Sequence, residues 1–132
     1  MANLDPGPVM LHDSLYGLEY GETSPDRMTA TCPVTEKVLQ PYGIVHGGIF
    51  CSMAETIASV GTHLGVQDGG NIAVGMSNNM NFLRPITTGS IHAEAKPRHR
   101  GRTTWIWDVE ITNDDGALCA IGRITIAVRP RP

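Results

Sequence analysis

The chain has 132 residues, 41% of them hydrophobic and 17% charged, with a net charge of −3 at pH 7. That size fits one domain over residues 1–132, and the acidic balance, without helix-turn-helix or zinc-finger spacing, argues against nucleic acid as a partner. No run of about 18 apolar residues is present to span a membrane, and the N-terminus lacks the basic and apolar regions of a leader, so a cytoplasmic protein is expected.

From the N-terminus, Val9–Tyr16 is predicted to form a short helix, and Tyr16–Glu22 and Arg27–Thr35 two strands around the turn Thr23-Ser24-Pro25-Asp26. Gly48–Leu64 reads as one long helix. Its residues Phe50, Met53, Ala54, Ile57, Val60, Gly61 and Leu64 recur at three- and four-residue steps, the period of a buried face. Ser52, Glu55, Ser59 and Thr62 fall instead on a narrow polar stripe. A helix that is small or apolar around most of its circumference is wrapped by other structure. The Glu55 carboxylate therefore needs partners, and the stripe has no evident ones within the chain.

After Asp68-Gly69-Gly70 the alternation of a long strand begins, with Ile72, Val74 and Met76 on one parity that continues past Asn78 to Met80 and Phe82. Ile91, Ala93 and Ala95 then set His92, Glu94, Lys96, Arg98 and Arg100 on the opposite face, and Gly101 permits a turn. Thr103, Trp105, Trp107, Val109 and Ile111 share the next apolar parity. The turn Asn113–Gly116 leads into Leu118, Ala120, Gly122, Ile124, Ile126 and Val128. The predicted order is two strands, one long helix and at least four strands run largely as a meander. This is an α+β fold in which an antiparallel sheet wraps a central helix.

Five of the ten Lys and Arg residues, Arg84, Lys96, Arg98, Arg100 and Arg102, lie between positions 84 and 102. Such a cluster on an acidic chain suggests one anionic ligand of limited size; a solvated strand face is the alternative. Cys32, Cys51 and Cys119 form no Cys-x-x-Cys pair and are expected to be buried thiols. His12, His46, His63, His92 and His99 form no His-x-x-x-His pair, so no metal is expected.

His46-Gly47-Gly48, Glu55 eight residues after Gly47, Gln40 seven before it, and the segment Asn79-Met80-Asn81-Phe82-Leu83-Arg84-Pro85 together resemble the hotdog-fold acyl-CoA thioesterases of the PaaI-like group. The resemblance is closest to the branch with Glu on the central helix, as in the 4-hydroxybenzoyl-CoA (Arthrobacter type) and 1,4-dihydroxy-2-naphthoyl-CoA thioesterases. It continues through Gly101-Arg102-Thr103, Trp107, Gly116, Leu118-Cys119 and Thr125. It implies a hotdog fold and hydrolysis of an aromatic or related acyl-CoA without a cofactor.

By that resemblance Glu55 is the catalytic carboxylate, as nucleophile or as general base toward water. Gly47 polarises the thioester carbonyl through its N–H, Gln40 positions thioester or water, His46 orients, and Ser59 hydrogen-bonds the water or the acyl end. Arg84, Arg98, Arg100 and Arg102 are the candidates for the CoA phosphates. The family's usual dimer takes Gln40 and Gly47 from one chain and Glu55 from the other, so a homodimer paired again into a homotetramer is expected. The residues alone leave duller roles open: Glu55 as a structural carboxylate, His46 bound to the loop backbone, Ser59 back-bonded to its helix. Two other functions compete. A hotdog hydratase or dehydratase would need a His-plus-acid helix pattern, which His63 does not complete. A non-catalytic acyl-CoA sensor ordinarily carries a DNA-binding segment, for which about 15 leading residues are too few.

Overall fold

The structure is a computed structural model that describes residues 12–132. Its elements are α1 (His12–Tyr16), β1 (Glu19–Thr23), β2 (Met28–Pro33), a 3-10 turn (Glu36–Val38), α2 (Gly47–Val66), a second such turn (Gln67–Gly69), β3 (Asn71–Phe82), β4 (Ser90–Arg100), β5 (Thr104–Thr112) and β6 (Leu118–Pro130). Tyr16 closes the helix rather than opening the first strand, and the predicted helix residues before His12 lie outside the described part. The sheet has six strands in the order β1-β2-β4-β5-β6-β3, with every neighbouring pair antiparallel. α2 lies across one face of it, as predicted. Among the described residues no helix is long and apolar enough to cross a membrane.

The meander holds for β4, β5 and β6 but not for β3, which pairs with β6 at the far edge while β4 pairs with β2. The linker from Leu83 to Gly89 carries the chain across the sheet. It is anchored to β6 by the Leu83 and Arg84 N–H groups on Cys119 O, and to the β2 side by Val34 N–H on Gly89 O (2.9 Å). Val45 N–H on Ile86 O (2.8 Å) ties it to the loop before α2 as well. Burial of Ile86 adds an apolar reason for this route.

The core follows the two periods. From α2 it takes Phe50, Met53, Ala54, Ile57, Ala58 and Val60, and from the sheet Met28, Ile91, Trp107, Ile111, Ile124 and Ile126. The helix passes close over β5 because Gly61 makes room for an indole: a Cβ there would lie 2.5 Å from Trp107 Cη2. Gly65 does the same for Trp105.

Three details of the sequence reading are corrected. β3 does not keep one parity, because the register shifts between Gly75 and Ser77 and leaves Met76 as an extra residue. Ala73 and Gly75 face the helix before the bulge, opposite Val128 and Ile126; Asn78 and Met80 face it after, opposite Ile124 and Gly122. Val74 is thereby turned outward and left 48% exposed. A second shift, between Pro97 and His99, moves Arg100 off the face of His92, Glu94 and Lys96 and onto that of Trp105. Its guanidinium stacks 5.4 Å from the Trp105 ring and bonds Asp26 Oδ1 at 2.6 Å.

Thirdly, the polar stripe of α2 does have partners in its own chain. Ser52 Oγ lies 3.0 Å from His12 Nε2, and Asn78 Nδ2 donates to Glu55 Oε1 at 3.3 Å. Thr62 is fully buried, donating to Ala58 O (2.9 Å) and accepting from Trp107 Nε1 (2.8 Å). Thr62→Val keeps the shape but strands the indole N–H, so unfolding in denaturant should show a loss of about 1–3 kcal/mol. A loss below about 0.3 kcal/mol would mean that the indole N–H finds another acceptor.

Candidate active site

Glu55 stands two turns into α2 on an exposed face, at the floor of a cavity of about 520 Å³ walled by Tyr20, Cys51, Ser52, Ser59 and Asn78. Ser59, one turn beyond Glu55, lines the same cavity. Tyr20 donates its phenol proton to Asp13 Oδ2 at 2.9 Å; burial first, and then that bond, push the phenol far above its ordinary range. The Cys51 thiol is also raised, by burial and then by the Glu55 charge, which keeps it a protonated and poor nucleophile at neutral pH. Cys51 is half-buried, whereas Cys32 and Cys119 are the buried thiols that were expected.

The other predicted catalytic residues, and Arg84 of the basic cluster, gather at the N-terminus of α2. Gln40, His46, Gly47 and Arg84, with Phe50 and Phe82, line a second cavity of about 510 Å³. Gly47 is the first helical residue, one earlier than predicted, and His46 is the cap: its Nδ1 accepts from Gly48 N–H at 2.8 Å. This fixes the ring as the tautomer protonated on Nε2. It also takes one of the free amides of the helix end, so Gly47 N–H is the donor left without an acceptor among the described residues. The Gln40 carboxamide folds back on its own loop, accepting from Tyr42 N–H. The group that demands a glycine at 47 from within the chain is the Phe82 ring, whose Cε2 would lie 2.7 Å from an added Cβ.

Within one chain the predicted residues therefore fall into two separate groups. Eight residues of helix separate Gly47 from Glu55, about 12 Å along the axis, and the two cavities share no residue. The basic cluster is divided as well. Arg84 is beside Gly47, whereas Arg100 stacks on the Trp105 ring that packs over Gly65, about 27 Å further along α2. Arg98 and Arg102 are exposed on and beside the same β4–β5 turn.

Asn78 and Gly75 were missed. Both sit against Glu55: Asn78 through its amide, Gly75 through a Cα so close that a Cβ would lie 3.0 Å from Glu55 Oε2. An asparagine interrupting a strand's apolar alternation was the available signal, since Asn is depleted in strands.

The thioesterase superfamily profile matches residues 42–120. The chain is 32% identical over 112 residues to the proofreading thioesterase EntH of Cronobacter turicensis, covering 85% of this chain and 81% of that one. A thioesterase of Haemophilus influenzae of solved structure superposes with a TM-score of 0.86 at 33% identity, over 95% of this chain and 85% of the other. A thioesterase of Staphylococcus aureus is similar at 30% identity, with TM-scores of 0.87 and 0.86 for two solved variants that cover 90% and 89% of this chain and 98% of their own. Those variants replace a glutamate and a glutamine fifteen positions apart by alanine.

Proposed function

The chain belongs to the thioesterase superfamily and is a thioester hydrolase, and we propose that it cleaves an aromatic or related acyl-CoA to the free acid and CoA at a site shared between two copies of the chain. The observation that carries this reading is the separation of Glu55 from Gln40, His46 and Gly47 into two cavities that no motion of one rigid helix can merge. β3 offers the means of joining them. It is an edge strand of twelve residues with Val74, Met76 and Phe82 about half exposed, a pairing edge that a second copy covers. The spacing of fifteen residues between Gln40 and Glu55 equals that of the two positions replaced in the S. aureus relative. Dimers pair again into a tetramer, the state that sedimentation would report.

In this reading the thioester carbonyl lies against Gly47 N–H. Developing negative charge there meets a free amide and the positive end of α2. Gln40, once released from Tyr42 N–H, positions the thioester or the water. His46 acts indirectly, by occupying Gly48 N–H and holding the helix end. Glu55 of the other chain attacks the carbonyl carbon or takes a proton from the attacking water, with Ser59 as that water's second contact. The departing thiolate has an ordinary pKa near 8.5 and needs no acid.

Thiol release from a panel of hydroxybenzoyl-, phenylacetyl-, dihydroxynaphthoyl- and medium-chain acyl-CoA should show kcat/KM at least about tenfold higher for the aromatic esters. A preference for the aliphatic esters would overturn the substrate class.

In this reading Arg84, beside the helix end, meets the CoA phosphates, and Arg98 and Arg102, exposed at the β4–β5 turn, do so from a neighbouring chain. Arg100 would first have to leave Asp26. Arg84→Ala is expected to raise KM for acyl-CoA about fivefold with kcat nearly unchanged, more so at low ionic strength. The same rise with a pantetheine thioester, which lacks the nucleotide phosphates, would contradict it.

A further inference from the structure

We propose that Asn78, seated on the β3 bulge, is a positioning residue that fixes the rotamer of the Glu55 carboxylate, with Gly75 forming the other wall of its seat. This rests on the reading of Glu55 as the reacting carboxylate.

The arrangement starts from the backbone. Met76 is the inserted residue of the bulge; without it, a continuous alternation that puts Gly75 toward the helix would turn Asn78 to the outer face of the sheet. With it, Gly75 and Asn78 both face the same turn of α2. The Asn78 amide then meets two acceptors from that turn, donating through Nδ2 to Cys51 O at 2.9 Å and to Glu55 Oε1 at 3.3 Å. The first bond is short and ties the strand to the helix backbone one turn before Glu55; the second is at the long end of the range and holds the carboxylate.

The amide orientation follows from the same neighbours. Turned by 180°, it would set its oxygen against a carbonyl and a carboxylate, so the NH2 group must face the helix. The consequence is visible on the other side, where Oδ1 is buried with no hydrogen-bond partner among the described residues. An unsatisfied buried acceptor is costly, and structures keep one where another role requires it.

Gly75 limits Glu55 from the Oε2 side. A Cβ at 75 would lie 3.0 Å from that oxygen, so alanine there would shift the carboxylate by a few tenths of an ångström from where Asn78 holds Oε1. Gly75 has no left-handed φ, so alanine is compatible with its backbone, and Gly75→Ala tests the seat rather than the fold. With Oε1 held by the amide and the Oε2 side bounded by Gly75, the carboxylate is confined to one rotamer. Preorganisation of this kind acts on the chemical step more than on binding.

The test measures kcat and KM for Asn78→Ala, Asn78→Asp, Gly75→Ala and Glu55→Gln with an acyl-CoA that the unaltered enzyme hydrolyses. Circular dichroism and size-exclusion chromatography verify fold and assembly. Asn78→Ala and the isosteric Asn78→Asp should each lower kcat about 10- to 100-fold while KM stays within about threefold, and Gly75→Ala should show the same split. Added to Glu55→Gln, Asn78→Ala should cost less than about twofold more, because there is no carboxylate left to position. Near-normal kcat in both Asn78 variants with Glu55→Gln inactive overturns the positioning role alone. Near-normal kcat in Glu55→Gln overturns the reading of Glu55 itself. Failure of both Asn78 variants to fold would make the residue a structural clamp and also overturn the proposal.

Discussion

Glu55→Gln should lower kcat about 10²–10⁴-fold while the protein keeps its fold, its assembly and its affinity for CoA. The loss is large because a neutral amide is neither a nucleophile toward a thioester nor a base for water, and among the described residues of the cavity no other free carboxylate or activated thiol stands ready to replace it. Asp13, the other carboxylate of the cavity, already accepts the Tyr20 phenol proton, and the Cys51 thiol is held protonated. The fold should survive because Glu55 is exposed within the chain and its recorded bond to Asn78 supports no core contact. Single-turnover thiol release with equal CoA binding by calorimetry is the measurement. Near-normal kcat would remove Glu55 from the chemistry.

Complementation between two inactive variants tests the shared site with an effect nearly as large. Gln40→Ala and Glu55→Ala are each expected to be severely impaired. In a random mixture of exchanging subunits half of the dimers are mixed, and each mixed dimer has one site with both substitutions and one with neither. Activity should therefore return to about a quarter of the unaltered level. The expectation rests on the geometry: Gly47 and Glu55 line separate cavities about 12 Å apart along α2. No recovery despite proven exchange would place both groups in one chain's site, and a fully active monomer at assay concentration would exclude sharing altogether.

The long helix, the strand parities on β5 and on β6 from Ala120 onward, and the Asn113–Gly116 turn could be read from the sequence because each is a local periodicity or a local turn preference; Leu118 is taken off the β6 parity by a register shift against β5 and is 39% exposed. The motif around His46-Gly47-Gly48 and Glu55 carried the family, and with it the hotdog arrangement and thioester hydrolysis. Burial on α2 was legible for Met53, Ala54 and Ile57 for the same reason. It failed at Thr62, whose surroundings depend on where the helix crosses Trp107 rather than on the helix's own period.

What only the tertiary structure decided lies in relations between strands. A bulge exists only relative to a partner's register, so nothing within β3 or β4 announced that Met76 or Arg98 would be the inserted residue. Yet those two residues decide that Asn78 meets Glu55 and that Arg100 leaves the charged face for Trp105 and Asp26. The place of β3 at the sheet edge depends in turn on its pairing with β6 rather than β4. The arginines are separated because a strand advances about 3.3 Å per residue. Cations that are neighbours in the sequence, Arg84 and Arg98 to Arg102, are thus carried to opposite ends of the helix they flank.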